Sequence, residues 1–224
     1  MSETILVVAA HPDDEALGCG GSIARHTAAG DRVHVVFLAD GEASRDAAVS
    51  AEIHERRNAA HAAADALGIS ERIFLDWPDN RLDSVPLLDV VQSLETHIRR
   101  INPSIIYTHF SGDLNVDHRV ATQAVMTACR PQPGAVPALR RILSFEVLSS
   151  TEWSVAEPFV PNYWVDISAT LDKKISALEA YDKEIREYPH TRSYQNIRQL
   201  AGVRGASVGV EYAEAFMLLR AVEK

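Results

Sequence analysis

Thr4-Ile5-Leu6-Val7-Val8-Ala9-Ala10 runs directly into His11-Pro12-Asp13-Asp14-Glu15, and the fold is decided at that junction. A short apolar run without polar alternation reads as a strand covered on both faces. The Pro- and Asp-rich turn ends it. Residues 16–30 (ALGCGGSIARHTAAG) then read as a helix closed by Gly30, and residues 32–40 (RVHVVFLAD) as a second strand. The same alternation continues along the chain. Residues from about 47 to 67 return apolar side chains at helical spacing and stop at Gly68. RIFLDW (72–77) is a strand, PLLDVVQSLETHIRRI (86–101) a helix, SIIYTHF (104–110) a strand and 117–129 a helix. Strands alternating with helices require right-handed crossovers and a mostly parallel sheet. The expected fold is therefore α/β, a Rossmann-like doubly wound, mostly parallel sheet with helices on both faces.

The later sequence is less regular. Residues 130–137 hold three prolines and a glycine and read as a loop. ILSFEVL (142–148) and YWVDI (163–167) are strand candidates, 171–188 a helix candidate, and YAEAFMLLRAV (212–222) fits either state. No repeat or low-complexity tract divides the chain, so 1–224 is expected to be one domain. The 224 residues are 46% apolar and 24% charged, as in ordinary globular proteins. A formal net charge of −9 argues against nucleic acid as a partner, because phosphate binding needs a surplus of Lys and Arg. No apolar run approaches the roughly 20 residues of a membrane span. The opening residues carry no basic leader, and Cys19 and Cys129 are too few for a disulfide framework. A cytoplasmic protein is expected, with homo-oligomerisation left open.

In an open α/β sheet, ligands bind outside the carboxyl ends of the strands. His11, Asp13, Asp14 and Glu15 stand at such an end. An imidazole and three carboxyl groups this close repel one another unless a cation lies among them. His and Asp suit zinc, with one coordination position kept open for water. The plainer reading is an acidic turn capping the next helix through Asp13 or Asp14. A further ligand is expected from another strand end. His118 follows the SIIYTHF strand, and the adjacent Asp117 can orient a ligating imidazole. Gly18, Gly20 and Gly21 fall inside the first helix instead of opening it, so they do not form a nucleotide-binding fingerprint. They suit close packing of that helix on the sheet, or a close approach of backbone to substrate.

His11-Pro12-Asp13-Asp14-Glu15 after the first strand, together with Asn115-Val116-Asp117-His118 after the fourth, resembles the LmbE/PIG-L family of metal-dependent N-deacetylases. The match is specific over roughly residues 4–42 and 103–125. The resemblance implies His11, Asp14 and His118 as zinc ligands, with Fe2+ or another divalent ion as a substitute, and Asp13 as general base. It implies hydrolysis of the acetamido group of an N-acetylated amino sugar or its conjugate. Many members carry His where this chain has Asn115. The electrophilic helper is then either Asn115, through its amide, or His109.

Sugar hydroxyls need several polar contacts. The Ala39-Asp40-Gly41-Glu42 loop lies on the expected active edge. Arg56 or Arg57 resembles the arginine with which the family contacts substrate, and Asp79 stands in a loop similar to one that binds hydroxyls. His190 and Arg192, in Pro189-His190-Thr191-Arg192-Ser193, are placed to meet an anionic group. Arg204, Glu211, Tyr212 and Glu214 are candidates for the rim. His26, His34, His54, His61 and His97 read as structural, and Trp153 and Trp164 as core. Two other readings remain: a metal amidase acting on a non-sugar conjugate, and a non-catalytic phosphosugar-binding module. A module that only binds has no use for Asp13 beside a metal ligand.

Overall fold

The N-terminal apolar run forms β1 (Thr4–Ala9), which is buried from Ile5 onward. The structure is a computed structural model that describes residues 2–39, 49–132 and 134–223. Asp40, Gly41 and Glu42, expected near the substrate, lie outside the described residues. After β1 come α1 (Asp14–Ala28), β2 (Arg32–Ala39), α2 (Val49–Leu67), β3 (Glu71–Trp77), α3 (Leu87–Ile101) and β4 (Ile105–His109). Then follow α4 (Val116–Ala128), β5 (Arg141–Phe145), β6 (Tyr163–Asp166), α5 (Leu171–Glu179), α6 (Tyr194–Ala206) and β7 (Ala213–Ala221).

The strands form one seven-stranded sheet in the order β3-β2-β1-β4-β5-β7-β6. β1 to β5 run parallel, while β7 pairs antiparallel with both β5 and β6. The expected α/β, doubly wound, mostly parallel sheet is thus present. Side chains of β1 alternate between two cores. Ile5, Val7 and Ala9 pack with apolar residues of α1, α2, α5 and α6, and Leu6 and Val8 with those of α3 and α4. Chain direction across the sheet reverses at β1, which lies between β2 and β4 with Ile5 opposite Ile105 and Val7 opposite Tyr107. The carboxyl ends of β1 and β4 meet at this switch point, where an open sheet leaves a crevice.

α1 carries the acidic motif into the crevice and is broken one turn later. Cys19 has non-helical angles (φ −145°, ψ 22°), which strands backbone groups on either side of it. A buried ion pair takes them up. Lys174 Nζ donates to Leu17 O (2.8 Å) and to Glu214 Oε1 (2.6 Å), while the amides of Gly21 and Ser22 donate to the Glu214 carboxylate (2.9 and 2.7 Å). Glu214, expected at the pocket rim, is instead a buried partner of α1. The glycines here meet a steric demand. A Cβ on Gly18 would stand 2.3 Å from the Phe145 ring, and one on Gly21 2.8 Å from Ile167. The packing alternative therefore accounts for Gly18 and Gly21.

The C-terminal third departs from expectation in the 171–188 helix and at Trp153, and it adds a helix, α6, that the sequence pattern does not announce. The 171–188 helix ends at Glu179 and gives way to a 3-10 turn over Asp182–Glu184. α6 carries no clear apolar stripe, since its buried face is Ile197, Ala201 and Gly205. Gly205 lies inside this helix, where a Cβ would stand 2.7 Å from the carbonyl oxygens of Val210 and Glu211. The ambiguous 212–222 segment is strand β7. Trp153, expected in the core, is 67% exposed. The five histidines read as structural lie outside the crevice, and His26 bonds Asp31 and Tyr107 while His34 bonds Glu71.

Lys174→Met is expected to destabilise the protein by about 3–5 kcal/mol, because it leaves the Glu214 carboxylate buried without its cation. Urea unfolding monitored by circular dichroism measures this, and a loss within experimental error would mean the pair does not stabilise the break in α1.

Candidate active site

β1 and β4 end side by side, so the turns that follow them converge. His11 stands just beyond β1, Asp14 opens α1 and His118 lies in the first turn of α4. Each offers one ligand atom, all within 4.8 Å of one another, and all three residues are buried. Asp14 lies between the rings, with Oδ2 3.4 Å from His11 Nδ1 and Oδ1 3.4 Å from His118 Nε2. The outer nitrogen of each ring is held by another carboxylate. His11 Nε2 lies 2.9 Å from Asp117 Oδ2, and His118 Nδ1 3.1 Å from Asp113 Oδ1.

His11, Asp79 and Asp117 form a second close grouping, but the Asp117 carboxylate is already engaged. Its Oδ2 accepts the Asn80 amide (2.7 Å) as well as the His11 bond, and its Oδ1 accepts the Leu82 amide (3.0 Å). Asp117 thus orients His11, which frees Nδ1 to point at Asp14. Asp79 adds a contact to the same ring nitrogen, 3.1 Å from His11 Nε2. Asp113 does for His118 what Asp117 does for His11. Ser150 Oγ and Thr151 Oγ1 donate to it, and it accepts the Asn115 amide at 2.9 Å. Asp113 carried no role in the sequence reading, although Asp-x-Asn after a strand is the signature of an Asx turn.

The charges fit a cation. Burial works against the His11 imidazolium, yet Asp117, Asp14 and Asp79 hold its pKa well above the usual value. Burial likewise opposes the charge on His118, but Asp14 and Asp113 raise it to about 9. Asp113 titrates at about 2, because bonds from His118, Ser150 and Thr151 outweigh its burial. The cluster therefore calls for positive charge at its centre, and two imidazoles flanking one carboxylate suit a divalent ion of the zinc kind.

Asp13 is buried beside this group with φ 126°, a region that non-glycine residues rarely adopt. Glu15 holds the backbone there: its Oε2 accepts the Asp13 amide (3.1 Å) and its Oε1 the Tyr181 hydroxyl (2.7 Å). Burial pushes the Glu15 carboxyl up to about 8, against the pull of those two donors. Burial also raises the pKa of Asp13, opposed by Arg192 and Arg56. Arg192 Nη1 donates to Asp13 Oδ2 at 3.0 Å.

The two candidate helpers are placed differently. Asn115 caps α4, its Oδ1 accepting the Asp117 amide (2.8 Å) and its Nδ2 donating to Asn80 Oδ1 (3.1 Å). His109 is fully buried and stacks on His118 with centroids 3.9 Å apart. Its Nε2 accepts the Ala10 amide at 2.8 Å, so the ring proton sits on Nδ1. Burial and the neighbouring His118 hold the His109 pKa well below the usual value. Arg56 acts by its charge on Asp13 and pairs with Glu184, while Arg57 pairs with Asp76 and lies over Phe74. His190 is exposed and accepts the Arg192 amide through Nδ1 (3.0 Å). Arg204 forms a two-bond pair with Glu146.

Residues 6–129 match the family described as PIG-L: GlcNAc-PI de-N-acetylase. The chain is 34% identical to the uncharacterized deacetylase YaiS of Escherichia coli over 65% of this chain and 75% of that one. It is 29% identical to a probable N-acetyl-alpha-D-glucosaminyl L-malate deacetylase of Bacillus cereus, over 81% of this chain and 83% of the relative. It is 30% identical to a 4-oxalmesaconate hydratase of Pseudomonas putida, over 79% of this chain and 72% of the relative. A conserved protein of Thermus thermophilus superposes with a TM-score of 0.78 at 28% identity, covering 99% of this chain and 97% of the other.

Asp113→Ala is expected to weaken divalent-metal affinity about 10- to 100-fold, as loss of a carboxylate behind a ligating imidazole does elsewhere. Titration against a competing chelator reads this directly, and an unchanged affinity would separate Asp113 from the ligand shell.

Proposed function

The chain belongs to the PIG-L de-N-acetylase family, and from that premise we propose that it hydrolyses the acetamido group of an N-acetylated amino sugar or sugar conjugate, releasing acetate and the free amine. The observation that carries this reading is the buried Asp13, which stands next to the His11-Asp14-His118 group without being part of it. Under this reading His11, Asp14 and His118 hold zinc or another divalent ion such as Fe2+. The bound ion supplies Lewis acidity, polarising the acetyl carbonyl and making water acidic near neutral pH.

The chain's own residues do the rest. Asp13 takes the proton of the attacking water and returns it to the departing nitrogen, and a pKa raised by burial suits a base working near neutrality. Asp117 and Asp113 fix the tautomers of His11 and His118, so that the inward nitrogens carry lone pairs. Asn115 keeps one amide hydrogen beyond its bond to Asn80, and in this reading that hydrogen meets the developing oxyanion, a contact generally worth about 3–4 kcal/mol. His109 supports the His118 ring from behind. Arg56 and Asp79 border the base and His11, where a sugar hydroxyl would enter.

The hydratase among the relatives favours one further reading. Addition of water to a double bond uses the same ion and base, but it has no amine to protonate. Acetate release separates the two. The metal-loaded protein is expected to release acetate from at least one member of a panel of N-acetylglucosamine derivatives, and removal of the ion by a chelator to abolish turnover reversibly. Asp13→Asn should retain metal and lose at least about 100-fold in kcat. Full turnover by that variant would remove Asp13 from the chemistry, and a metal-loaded wild type that releases acetate from no such compound would exclude the deacetylase reading.

A further inference from the structure

Arg192 connects three segments that are distant in sequence. Its Nε donates to Leu148 O (3.2 Å) and Ser149 Oγ (2.7 Å), and its Nη1 donates to Asp13 Oδ2 (3.0 Å) and Glu184 Oε2 (3.5 Å). The side chain is 18% exposed and the Asp13 side chain 3% exposed. Glu184 in turn pairs with Arg56 of α2. A guanidinium engaged along two of its nitrogens has a fixed plane, so the carboxylate oxygen it grips is held at a fixed point.

The grip is one-sided. Among the described residues Asp13 Oδ2 accepts Arg192 and Oδ1 accepts no hydrogen bond, while the Arg56 guanidinium adds its charge nearby. A carboxylate joined to the chain by a single Cβ turns readily about its terminal torsion, which is broad in aspartate. The Asp13 backbone is clamped through Glu15 and Tyr181 at φ 126°, but that clamp does not set the carboxylate torsion.

We propose that Arg192 is the positioning residue of Asp13: it holds Oδ2 and so leaves Oδ1 as the oxygen that handles the proton. The proposal rests on the reading of Asp13 as the base. It assigns Arg192 to the base instead of to an anionic group of the substrate. Arg192, Tyr181, Ser149 and Glu184 all lie beyond the segment that matches the family, which ends at residue 129. The base is thus aimed by a part of the chain that holds none of the proposed metal ligands.

The test compares Arg192→Ala, Arg192→Lys and Ser149→Ala, the last of which loosens the guanidinium while keeping its charge. Arg192→Ala is expected to keep its metal content and to lose about 100-fold in kcat, the scale set by a displacement of about 1 Å in a reacting group. KM should stay within about twofold, because the interaction serves the transition state and not substrate binding. Arg192→Lys and millimolar guanidinium added to Arg192→Ala should each restore about tenfold, and Ser149→Ala should lose several-fold in kcat alone. A purely structural role would not respond to added guanidinium. A raised KM with unchanged kcat would make Arg192 a substrate contact and overturn the proposal, as would wild-type kcat in Arg192→Ala. Crystals of Arg192→Ala provide a readout without turnover. The Asp13 carboxylate should be rotated or split over two positions, and a single unmoved position would overturn the proposal. If the wild type deacetylates nothing, the proposed reaction has failed, and the crystals still decide the role of Arg192.

Discussion

Two imidazoles face one buried carboxylate at the end of the central strand, and each ring is turned to do so by another carboxylate behind it. His11 and His118 come from different strand ends, and only the parallel pairing of β1 with β4 brings those ends together. A residue slip between these strands would carry one ring away from Asp14 and expose the alternating faces of β1 to the wrong cores. Sheet register and site geometry are therefore one constraint. The complete burial of Ile5 to Ala9 on both faces is what enforces it.

The same constraint explains why so much negative charge is tolerated indoors. Asp13, Asp14, Asp79, Asp113 and Asp117 are all buried, in the turns after β1, β3 and β4 and at the starts of α1 and α4. Burying charged carboxylates is costly unless each is paired or hydrogen-bonded. Each meets a donor of its own. Asp117 takes two backbone amides, Asp113 two hydroxyls, and Asp13 a guanidinium. Asp14, between the rings, takes the His11 amide and leaves its strongest interactions to the imidazoles. That division leaves Asp14 as the carboxylate within reach of both rings, as the proposed divalent ion would require.

The parallel half of the fold and the inner half of the site were legible because both depend on local sequence. An apolar run ending in His-Pro-Asp-Asp-Glu states its own strand end, and Asp117-His118 after a second strand states its partner. What lay beyond reach depended on contacts between distant segments. The break in α1 is invisible without Lys174 and Glu214, which lie far along the chain and give no sign of pairing. α6 was unreadable because its buried face is only Ile197, Ala201 and Gly205, the last required by the closeness of the Val210 and Glu211 carbonyls. Asp113 stands two residues before the Asn115–His118 motif, but its role needs Ser150 and Thr151, which no spacing rule links to it. Trp153 reads as core by residue type alone, and its exposure is set by the turn that carries it.

The two halves of the chain thus contribute different kinds of order. The first supplies groups whose identity is chemical: imidazoles, carboxylates and a strained aspartate. The second supplies groups that hold those in place. Tyr181 holds Glu15 and through it the Asp13 backbone, Ser150 and Thr151 hold Asp113, and Arg192 holds the Asp13 side chain. A positive φ at Asp13 costs about 1–3 kcal/mol wherever it occurs, and it persists because Tyr181, 166 positions beyond Glu15, fixes the glutamate that accepts its amide. Relatives with the same motif but a different second half would keep the donor set while losing this hold on the proposed base. Divergence in reaction among relatives, a hydratase beside deacetylases, is then expected to lie more in the residues that aim the base and line the opening than in the donors around Asp14.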